Sequence, residues 1–530
     1  MAEYTGTTAH GTAPRRGRTG LVVTGLLTAA LAISAIGVAP AAKADTGLGY
    51  DPLTTKGSLL QIADVVGARA SWAAGYTGKG IGVALIDTGV APVPGLPAAN
   101  IVNGPDLSFD SQDPQLTHRD VYGHGTHLAS IIAGRDQAGA PSSYLDPSRF
   151  TGIAPDATLV SLKVGASDGA VDVSQVIAAI DWVVEHRADP GLNIRVLTLA
   201  YGTDSAQDPA VDPLAFAVEN AWRHGIVVVV AGGNDGSSTF TLANPARDPY
   251  VLSVGADDTK GTVDTKDDDV PAWGSRGTNQ RHVDVVAPAV SVLGLRVPNG
   301  YSDERHPDAR VGTRFAKASG TSQATAVVSG QVALLLQENP ALTPDQVKKQ
   351  LTNTAEAIPR ESSQYRGRGV SDVRLAQLSA DGAAHQSGGF GTGTGSLEAA
   401  RGSSHVVDGV APLTGERDIF GTPWNGAAWA AATSAGTVWD GGSWRGVSVT
   451  GDGWNGQVWR SVTWTSGTWT GRMWADASWS GRMWADGSWG GAKWAGTAWD
   501  GAKWAGRMWA DASWSGSMWR TADLASVGWQ

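Results

Sequence analysis

Residues 58–378 alternate short apolar runs with longer segments of mixed polarity. Runs such as IGVALID (81–87) and IVVVVAGG (226–233) have too few polar positions for either side of a strand to face water. Between the runs, the segments 172–187 and 213–225 place apolar residues at helical spacing. This alternation predicts an α/β domain with a parallel sheet and helices on both faces.

The chain changes texture after this region. Residues 381–423 are rich in Gly, Ser and Thr, which predicts a flexible linker. From Trp424 to Trp529 every fifth residue is tryptophan, and nineteen of the 23 tryptophans lie on this grid. The grid is interrupted at Ser434, Val449 and Leu524. We therefore predict a separate repeat domain over residues 424–530.

The five-residue period favours strand over helix in this repeat. An α-helix would rotate successive tryptophans by about 140° and give them no common face. Turn-forming Gly, Asp and Ser residues lie between the tryptophans, so we predict short strands stacked into a β-rich repeat. The segment Trp424–Trp529 could then stack on the sugar rings of a cell-wall or environmental polysaccharide. The alternative, which we favour, is that the tryptophans form the core of a spacer.

The N-terminus has the layout of a secretory signal peptide, predicted over residues 1–44. Three arginines precede an uncharged run over residues 21–40, and Ala42 and Ala44 supply the small residues of a cleavage site. Cleavage would leave residues 45–57 as a short N-terminal segment of a secreted, extracellular protein. A retained membrane anchor is the alternative, because about twenty residues of low polarity could span a bilayer.

Composition narrows the classes of function. The chain has no cysteine, which excludes disulfides, zinc–thiolate sites and a thiol nucleophile. Its net charge of −10, from 40 basic and 50 acidic residues, argues against nucleic acid as a partner. We expect a monomer that requires no cofactor.

Three segments of the α/β region carry residues suited to acyl transfer. VALIDTGV ends a buried strand with Asp87, YGHGTH starts a helix with His124, and SGTSQAT starts another with Ser322. Catalytic groups of open α/β sheets gather at strand carboxyl ends and helix N-termini. A serine hydroxyl needs an imidazole to take its proton, and the imidazole needs a carboxylate to fix its tautomer. Singly, each residue also fits a turn, cap or surface role.

Together, and in the order Asp…His…Ser, these segments resemble the subtilisin-like serine proteases, the subtilase family. The resemblance covers residues 58–380 and rests on GYTGKGIGVALIDTGV, GHGTH and SGTS. It implies a subtilisin-like catalytic domain in which Ser322 is the nucleophile, His124 the general base and acid, and Asp87 the orienting carboxylate. His127 corresponds to the family's second histidine, with a structural role.

Two further segments extend the resemblance. VVVVAGGNDG carries Asn234, which resembles the asparagine that donates to the oxyanion in this family, although in isolation it would fit a left-handed turn. RVLTLAYG resembles the strand that pairs with the substrate backbone. The resemblance thus implies that Ala200, Tyr201 and Gly202 line a groove for protein or peptide substrates.

The sequence departs from the family pattern near the nucleophile. Gln323 stands where a methionine is usual, Ala326 where proline is usual, and Ala289 where glycine is usual. None of these changes removes a reacting group, and Gln323 cannot form a sulfoxide. Only residues 45–57 separate the signal from the family match, which leaves no room for an inhibitory pro-domain. We therefore expect activity to be restrained in another way.

Acidic residues cluster at 257–269 (DDTKGTVDTKDDD) without the spacing of a calcium loop. We predict a solvated surface loop and assign no metal ligand; structural calcium, common in the family, is the alternative. The sequence as a whole predicts a secreted serine endopeptidase that works through an acyl-enzyme. The competing hypothesis is a catalytically silent relative that adheres to or binds polysaccharide through its tryptophan-rich tail.

Overall fold

A seven-stranded parallel sheet forms the centre of the molecule. The computed structural model describes residues 47–236, 241–379, 382–408 and 411–448. The strands of the sheet are β1 (Gly82–Asp87), β2 (Ile101–Asp106), β3 (Thr158–Lys163), β4 (Ile194–Leu199), β5 (Val227–Ala231), β6 (Leu252–Asp257) and β7 (Val285–Pro288). Their order is β2-β3-β1-β4-β5-β6-β7, and every neighbouring pair is parallel.

Twelve α-helices occur in the described residues. They are α1 (Leu59–Val65), α2 (Ala68–Ala73), α3 (His124–Ala133), α4 (Val173–His186), α5 (Pro213–Arg223), α6 (Tyr301–Arg305), α7 (Thr321–Glu338), α8 (Pro344–Thr354), α9 (Ser363–Arg366), α10 (Val373–Leu378), α11 (Leu397–Arg401) and α12 (Gly426–Ala435). None of the helices in these ranges is both long and apolar enough to cross a membrane.

Eight further strands lie in the described residues, outside the central sheet. One antiparallel sheet contains β8 (Val292–Leu295), β9 (Arg310–Val311) and β10 (Phe315–Ala318). The remaining strands lie near the C-terminal end of the described chain: β11 (Val407–Asp408), β12 (Ala411–Pro412), β13 (Trp439–Asp440), β14 (Ser443–Trp444) and β15 (Val447–Ser448).

The hydrophobic core follows from the apolar strands. Strands β1, β5, β6 and β7 are buried along their whole length, as sequences without a polar face require. Helix α7 packs against β4 to β7 and against α3, while α4 and α5 pack together and contact β1, β4 and β5. The predicted parallel sheet with covering helices is confirmed.

The sheet order creates a crevice beside β1. The chain runs from β1 outward to β2, returns to β3 next to β1, and then crosses to β4 on the other side of β1. In open α/β sheets, ligands bind at the carboxyl ends of strands where the order reverses in this way. Asp87, the last residue of β1, lies at this point.

The segment predicted as a linker, 381–423, contacts the α/β domain at several places in its described part. The amide of Thr392 donates to the carbonyl of Ala210 at 2.7 Å. The side chain of Arg401 is fully buried and donates through Nε to Oδ2 of Asp172 at 2.6 Å. Asp172 is the N-cap of α4, so this arginine neutralises a carboxylate buried at the start of that helix.

The first tryptophans of the grid pack on α4. Trp429 and Trp444 each donate through Nε1 to Oδ2 of Asp181 at 2.9 Å, and Thr433 donates to Oδ1 at 2.6 Å. Both indoles and Asp181 are buried, and Trp424 contacts both rings. Residues 424–448 therefore belong to the packed body of the domain. The rest of the predicted repeat, 449–530, and the predicted signal peptide lie outside the described residues.

The prediction of a strand around each tryptophan is wrong for residues 426–435, which form α12. Six of these ten residues are alanine, the strongest helix former, and the side chain of Asn425 caps the helix by accepting from Ala428 N at 3.0 Å. Only one tryptophan of the grid lies in this helix, so the argument against a tryptophan face does not apply. The interruption at Ser434 falls on an exposed position of α12. Strands do carry Trp439 and Trp444.

The acid-rich segment 257–269 is less solvated than predicted. Asp257 and Asp268 are 0% and 3% exposed, and burial raises the pKa of both, that of Asp268 to about 7. Lys260 forms ion pairs with Asp258 and Asp269, both at 2.9 Å. Within the described ranges, no group of three or more candidate side chains is placed to hold a metal ion. A structural calcium stays a prediction.

Candidate active site

Asp87 ends β1 with its carboxylate fully buried. Its Oδ1 accepts from the amide of Thr88 at 2.8 Å and from the Thr88 hydroxyl at 3.3 Å. Burial raises the pKa of Asp87 well above its ordinary value, and the two hydrogen bonds from Thr88 oppose that rise. Thr88 thus holds the carboxylate in place at the carboxyl end of β1, at the crevice of the sheet.

His124 is the first residue of α3 and faces Asp87. Its Nδ1 lies 3.0 Å from both carboxylate oxygens of Asp87. Because a carboxylate accepts, Nδ1 carries the proton, and Nε2 of the neutral ring is left as the basic nitrogen. Burial lowers the pKa of His124 well below its ordinary value, while the charge of Asp120 opposes the shift. Burial therefore favours the neutral ring, with Nε2 unprotonated.

A glycine permits this close approach. A Cβ built on Gly125 would lie 2.2 Å from the carbonyl oxygen of Gly89 and 2.9 Å from Oδ1 of Asp87. Any larger residue would push α3 away from the carboxyl end of β1. Gly125, the second glycine of the GHGTH motif, is thus required for the contact between His124 and Asp87.

Asp120 is a component of the site that our sequence reasoning missed. Its Oδ1 accepts from the amides of Tyr122 and Gly123, at 3.0 and 2.7 Å. Its Oδ2 accepts from the amide and the hydroxyl of Thr126, at 2.8 and 2.7 Å. The carboxylate takes the place of a side-chain cap, which the N-cap Gly123 cannot provide. An aspartate four residues before a helix-starting histidine was the available signal.

Lys163 supports the loop that leads to Asp120. It pairs with Asp87 in the β1–β3 register and is almost completely buried. Its Nζ donates to Asp110 at 2.7 Å and to the carbonyl of Arg119 at 2.6 Å. This buried ion pair holds the loop between β2 and α3, and with it the start of the helix that carries His124.

Ser322 is the second residue of α7, and the structure brings Asn234 to the same helix start. Oδ1 of Asn234 accepts from the amide and the hydroxyl of Thr321, at 3.0 and 2.9 Å. An amide nitrogen can only donate, so the oxygen of the Asn234 side chain must face Thr321 and its NH2 group must point elsewhere. Helices α3 and α7 pack together, and both helix starts lie at the carboxyl edge of the sheet.

Ala200, Tyr201 and Gly202 directly follow β4, and all three are buried. Strand β4 itself lies inside the sheet, between β1 and β5. A Cβ on Gly202 would lie 2.6 Å from Cβ of Ala243, which makes this glycine a packing residue. Substrate binding by residues 200–202 stays a prediction.

The departures near the nucleophile are buried side chains. Gln323 is fully buried, and neither Oε1 nor Nε2 has a hydrogen-bond partner in the described residues. Ala326 lies in the core, and Ala289 accepts from Gly320 N at 3.0 Å, just before α7. His127 is buried against Gly294, and burial lowers its pKa to about 3, which agrees with the structural role predicted for it.

Known proteins resemble this chain in sequence. Residues 78–393 match the Subtilase family. The chain is 37% identical over 300 residues to "Serine protease AprX" of Bacillus subtilis (strain 168), an alignment that covers 56% of this chain and 65% of that protein. It is 31% identical over 293 residues to "Subtilisin BL" of Lederbergia lenta, covering 55% of this chain and 90% of that protein. A crystal structure of a cold adapted subtilisin-like serine proteinase aligns at 27% identity with a TM-score of 0.41, over 56% of this chain and 88% of that one.

Proposed function

The chain belongs to the subtilase family and is a serine-type endopeptidase of that family, and from this premise we propose that Ser322, His124 and Asp87 carry its reaction. The observation that carries the proposal is the buried contact of His124 Nδ1 with both oxygens of Asp87, at 3.0 Å each. A histidine held in this tautomer at a helix start is an imidazole prepared to act as a base.

Proton transfer follows from that tautomer. Nε2 of His124 takes the proton of the Ser322 hydroxyl as the serine oxygen attacks the carbonyl carbon of the scissile peptide. The imidazolium then gives the proton to the leaving amine, and the bond between carbonyl carbon and nitrogen breaks. Water attacks the resulting ester in the same way, which releases the acid and restores Ser322. Asp87 stabilises the imidazolium in both halves.

Asn234 supplies the group that meets the developing oxyanion. Its oxygen accepts from Thr321, so the NH2 group is the part of this side chain that can donate to a substrate oxygen. Ser322 lies in the first turn of α7, where the helix dipole favours negative charge. Asp120 acts as a positioning residue, because it orders the first turn of α3 and with it His124.

Substrates and location follow from the same premise. A serine-type endopeptidase of this family takes protein or peptide substrates. We propose that this one is secreted, because its N-terminal sequence has the layout of a signal peptide. We also propose that it is a monomer. Association with a cell wall and polysaccharide binding by Trp424–Trp529 stay predictions, since most of that segment lies outside the described residues.

Labelling with a fluorophosphonate tests the proposal. The full chain should form a covalent adduct that is absent from Ser322→Ala and strongly reduced in His124→Ala. The exposed Ser148→Ala variant is the matched control and should label like the unmodified chain. Absence of a Ser322-dependent adduct would favour the catalytically silent relative instead.

A further inference from the structure

A groove separate from the catalytic residues lies where the C-terminal segment meets α4. It has a volume of about 540 Å³ and lies between β2, the C-terminal end of α4 and the turn between β13 and β14. We name it the α4 groove and define it by Asn103, Trp182, Glu185, His186, Trp439 and Asp440. The reaction proposed above uses none of these residues.

The aromatic part of the α4 groove is held rigidly. Trp182 is partly exposed, and its ring stacks on His186 with centroids 4.2 Å apart and an interplanar angle of 12°. Trp439 is nearly buried, and its Nε1 donates to the carbonyl of Ala178 at 3.0 Å. One face of Trp182 is thus covered by His186, and the part of the indole that stays exposed at the groove is held in place before any ligand binds.

The polar part of the α4 groove is rich in acceptors. Nδ1 of His186 donates to the carbonyl of Trp182 at 2.9 Å, so Nε2 of the neutral ring is an acceptor. Oε1 of Glu185 accepts from Trp439 N at 3.1 Å, and its Oε2 has no hydrogen-bond partner within the described residues. Asp440 adds an exposed carboxylate, and the side chain of Asn103 can both donate and accept.

These features select one chemical class of ligand. Fixed acceptors beside a rigid aromatic face match a molecule with hydroxyl donors around a ring that has an apolar face. Two carboxylates line the groove, and the described lining residues include no lysine or arginine, which disfavours an anionic ligand. A basic peptide such as oligolysine would also meet the carboxylates, but it has no ring to lie against Trp182.

We propose that the α4 groove binds a neutral oligosaccharide, with a sugar ring against Trp182 and hydroxyls donated to Glu185, His186 and Asp440. The groove is built jointly by the α/β domain and by the first tryptophan pentads. Saccharide binding is thus assigned to a defined junction near α4. It does not depend on the proposed catalytic roles.

Calorimetric titration of the full chain carrying Ser322→Ala, which cannot cleave itself, tests the proposal. The probes are the neutral hexasaccharides of cellulose, chitin and xylan, with hexagalacturonate and hexalysine as charged comparisons. We expect at least one neutral hexasaccharide to bind and hexagalacturonate not to bind. Trp182→Ala should weaken that binding roughly tenfold or more, as loss of an aromatic anchor does.

Two further variants separate binding from folding. Asp440→Ala changes an exposed side chain and should weaken the same hexasaccharide several-fold, so a folding defect in Trp182→Ala would leave the test intact. Phe390→Ala removes an aromatic ring that is 44% exposed outside the groove and should leave binding unchanged. Failure of all three neutral probes, or binding insensitive to both groove variants, overturns the proposal. Binding of hexalysine alone would assign the groove to a basic peptide.

Discussion

Two buried aspartates, Asp87 and Asp181, show two uses of the same side chain. Each is fully buried, and burial raises the pKa of each above its ordinary value. Asp87 faces His124, a ring that gains positive charge when it takes a proton. Asp181 instead accepts from two indoles and a hydroxyl, none of which can become charged.

The difference lies in what the carboxylate organises. Asp87 orients one side chain 37 residues away and is prepared for a change of charge. Asp181 joins α4 to residues 248 to 263 positions further along the chain. One buried carboxylate therefore serves chemistry, and the other fixes a long-range contact in the fold. Variants at each should affect different measurements.

Asp87→Asn should produce the largest effect on catalysis. An amide at this position no longer selects the tautomer with the proton on Nδ1, and we expect kcat on a peptide substrate to fall by about 10⁴-fold. Asp189→Asn, an exposed aspartate near the end of α4, is the control. A loss of less than tenfold would show that Asp87 does not orient the base.

Asn234→Ala should have the next largest effect. It removes the proposed donor to the oxyanion, and we expect kcat to fall by about 10²- to 10³-fold with KM nearly unchanged. Asn279→Ala, on an exposed loop, is the matched control. A change confined to KM would instead place Asn234 in ground-state binding of the substrate.

Asp181→Ala should change stability and leave kcat nearly unchanged. It would leave two indole donors and one hydroxyl buried without their acceptor, and we expect the free energy of unfolding to fall by about 3 kcal/mol or more. Hydrogen exchange should become faster in residues 424–448. Unchanged exchange there, with Asp189→Ala as the reference, would contradict the assigned contact.

The stability of the packing around Asp181 should depend on pH. Burial raises the pKa of Asp181 to about 6, against the opposing hydrogen bonds from Thr433, Trp429 and Trp444. Because the pKa in the folded chain lies above that of the unfolded chain, the stability that Asp181 contributes is greatest below about pH 4 and is lost as pH rises through 6. Amides of α12 should therefore exchange more readily at pH 7 than at pH 5, after correction for intrinsic rates. Asp181→Asn should remove this difference; its persistence would assign the titration to another group.

Gln323→Met should have the smallest effect of these variants. It tests the opposite case, a buried polar side chain whose removal should stabilise the fold. Unlike Asp87 and Asp181, the buried amide of Gln323 has no hydrogen-bond partner in the described residues. Replacing it with an apolar chain of similar size should raise the free energy of unfolding by about 1 kcal/mol. The variant should also become sensitive to peroxide through sulfoxide formation beside Ser322. A lower melting temperature would contradict this view of Gln323.

The parallel sheet and the residues around Asp87 could be predicted because their signals are local. Each strand is an unbroken apolar run, and each candidate catalytic residue stands beside a glycine-rich turn or helix start. Asp120 has a local signal too, but its four hydrogen bonds depend on how the chain turns into α3. Sequence spacing alone does not distinguish such a cap from a surface aspartate.

The packing of residues 382–448 could not be predicted in the same way. The partners of Arg401 and Trp429 lie more than 200 residues earlier in the chain, at the N-cap of α4 and inside that helix, and the sequence of α4 does not indicate that a later segment will cover it. The alanine-rich helix α12 also differs from the prediction, because a regular five-residue tryptophan period predicts the same short strands along the whole repeat. In residues 424–448, the helix propensity of alanine and the distant acceptor Asp181 together determine the structure.

The buried Arg401–Asp172 pair has a consequence for where the folding unit ends. A fragment cut at residue 380, the end of the resemblance to the family, would keep the carboxylates of Asp172 and Asp181 and lose the guanidinium and indoles that satisfy them. Such a fragment would contain two buried carboxylates without their hydrogen-bond and ion-pair partners, although residue 380 is where the resemblance to the family ends. The folded body of the enzyme therefore includes residues beyond 380, up to at least 448, and the first four pentad tryptophans are part of it.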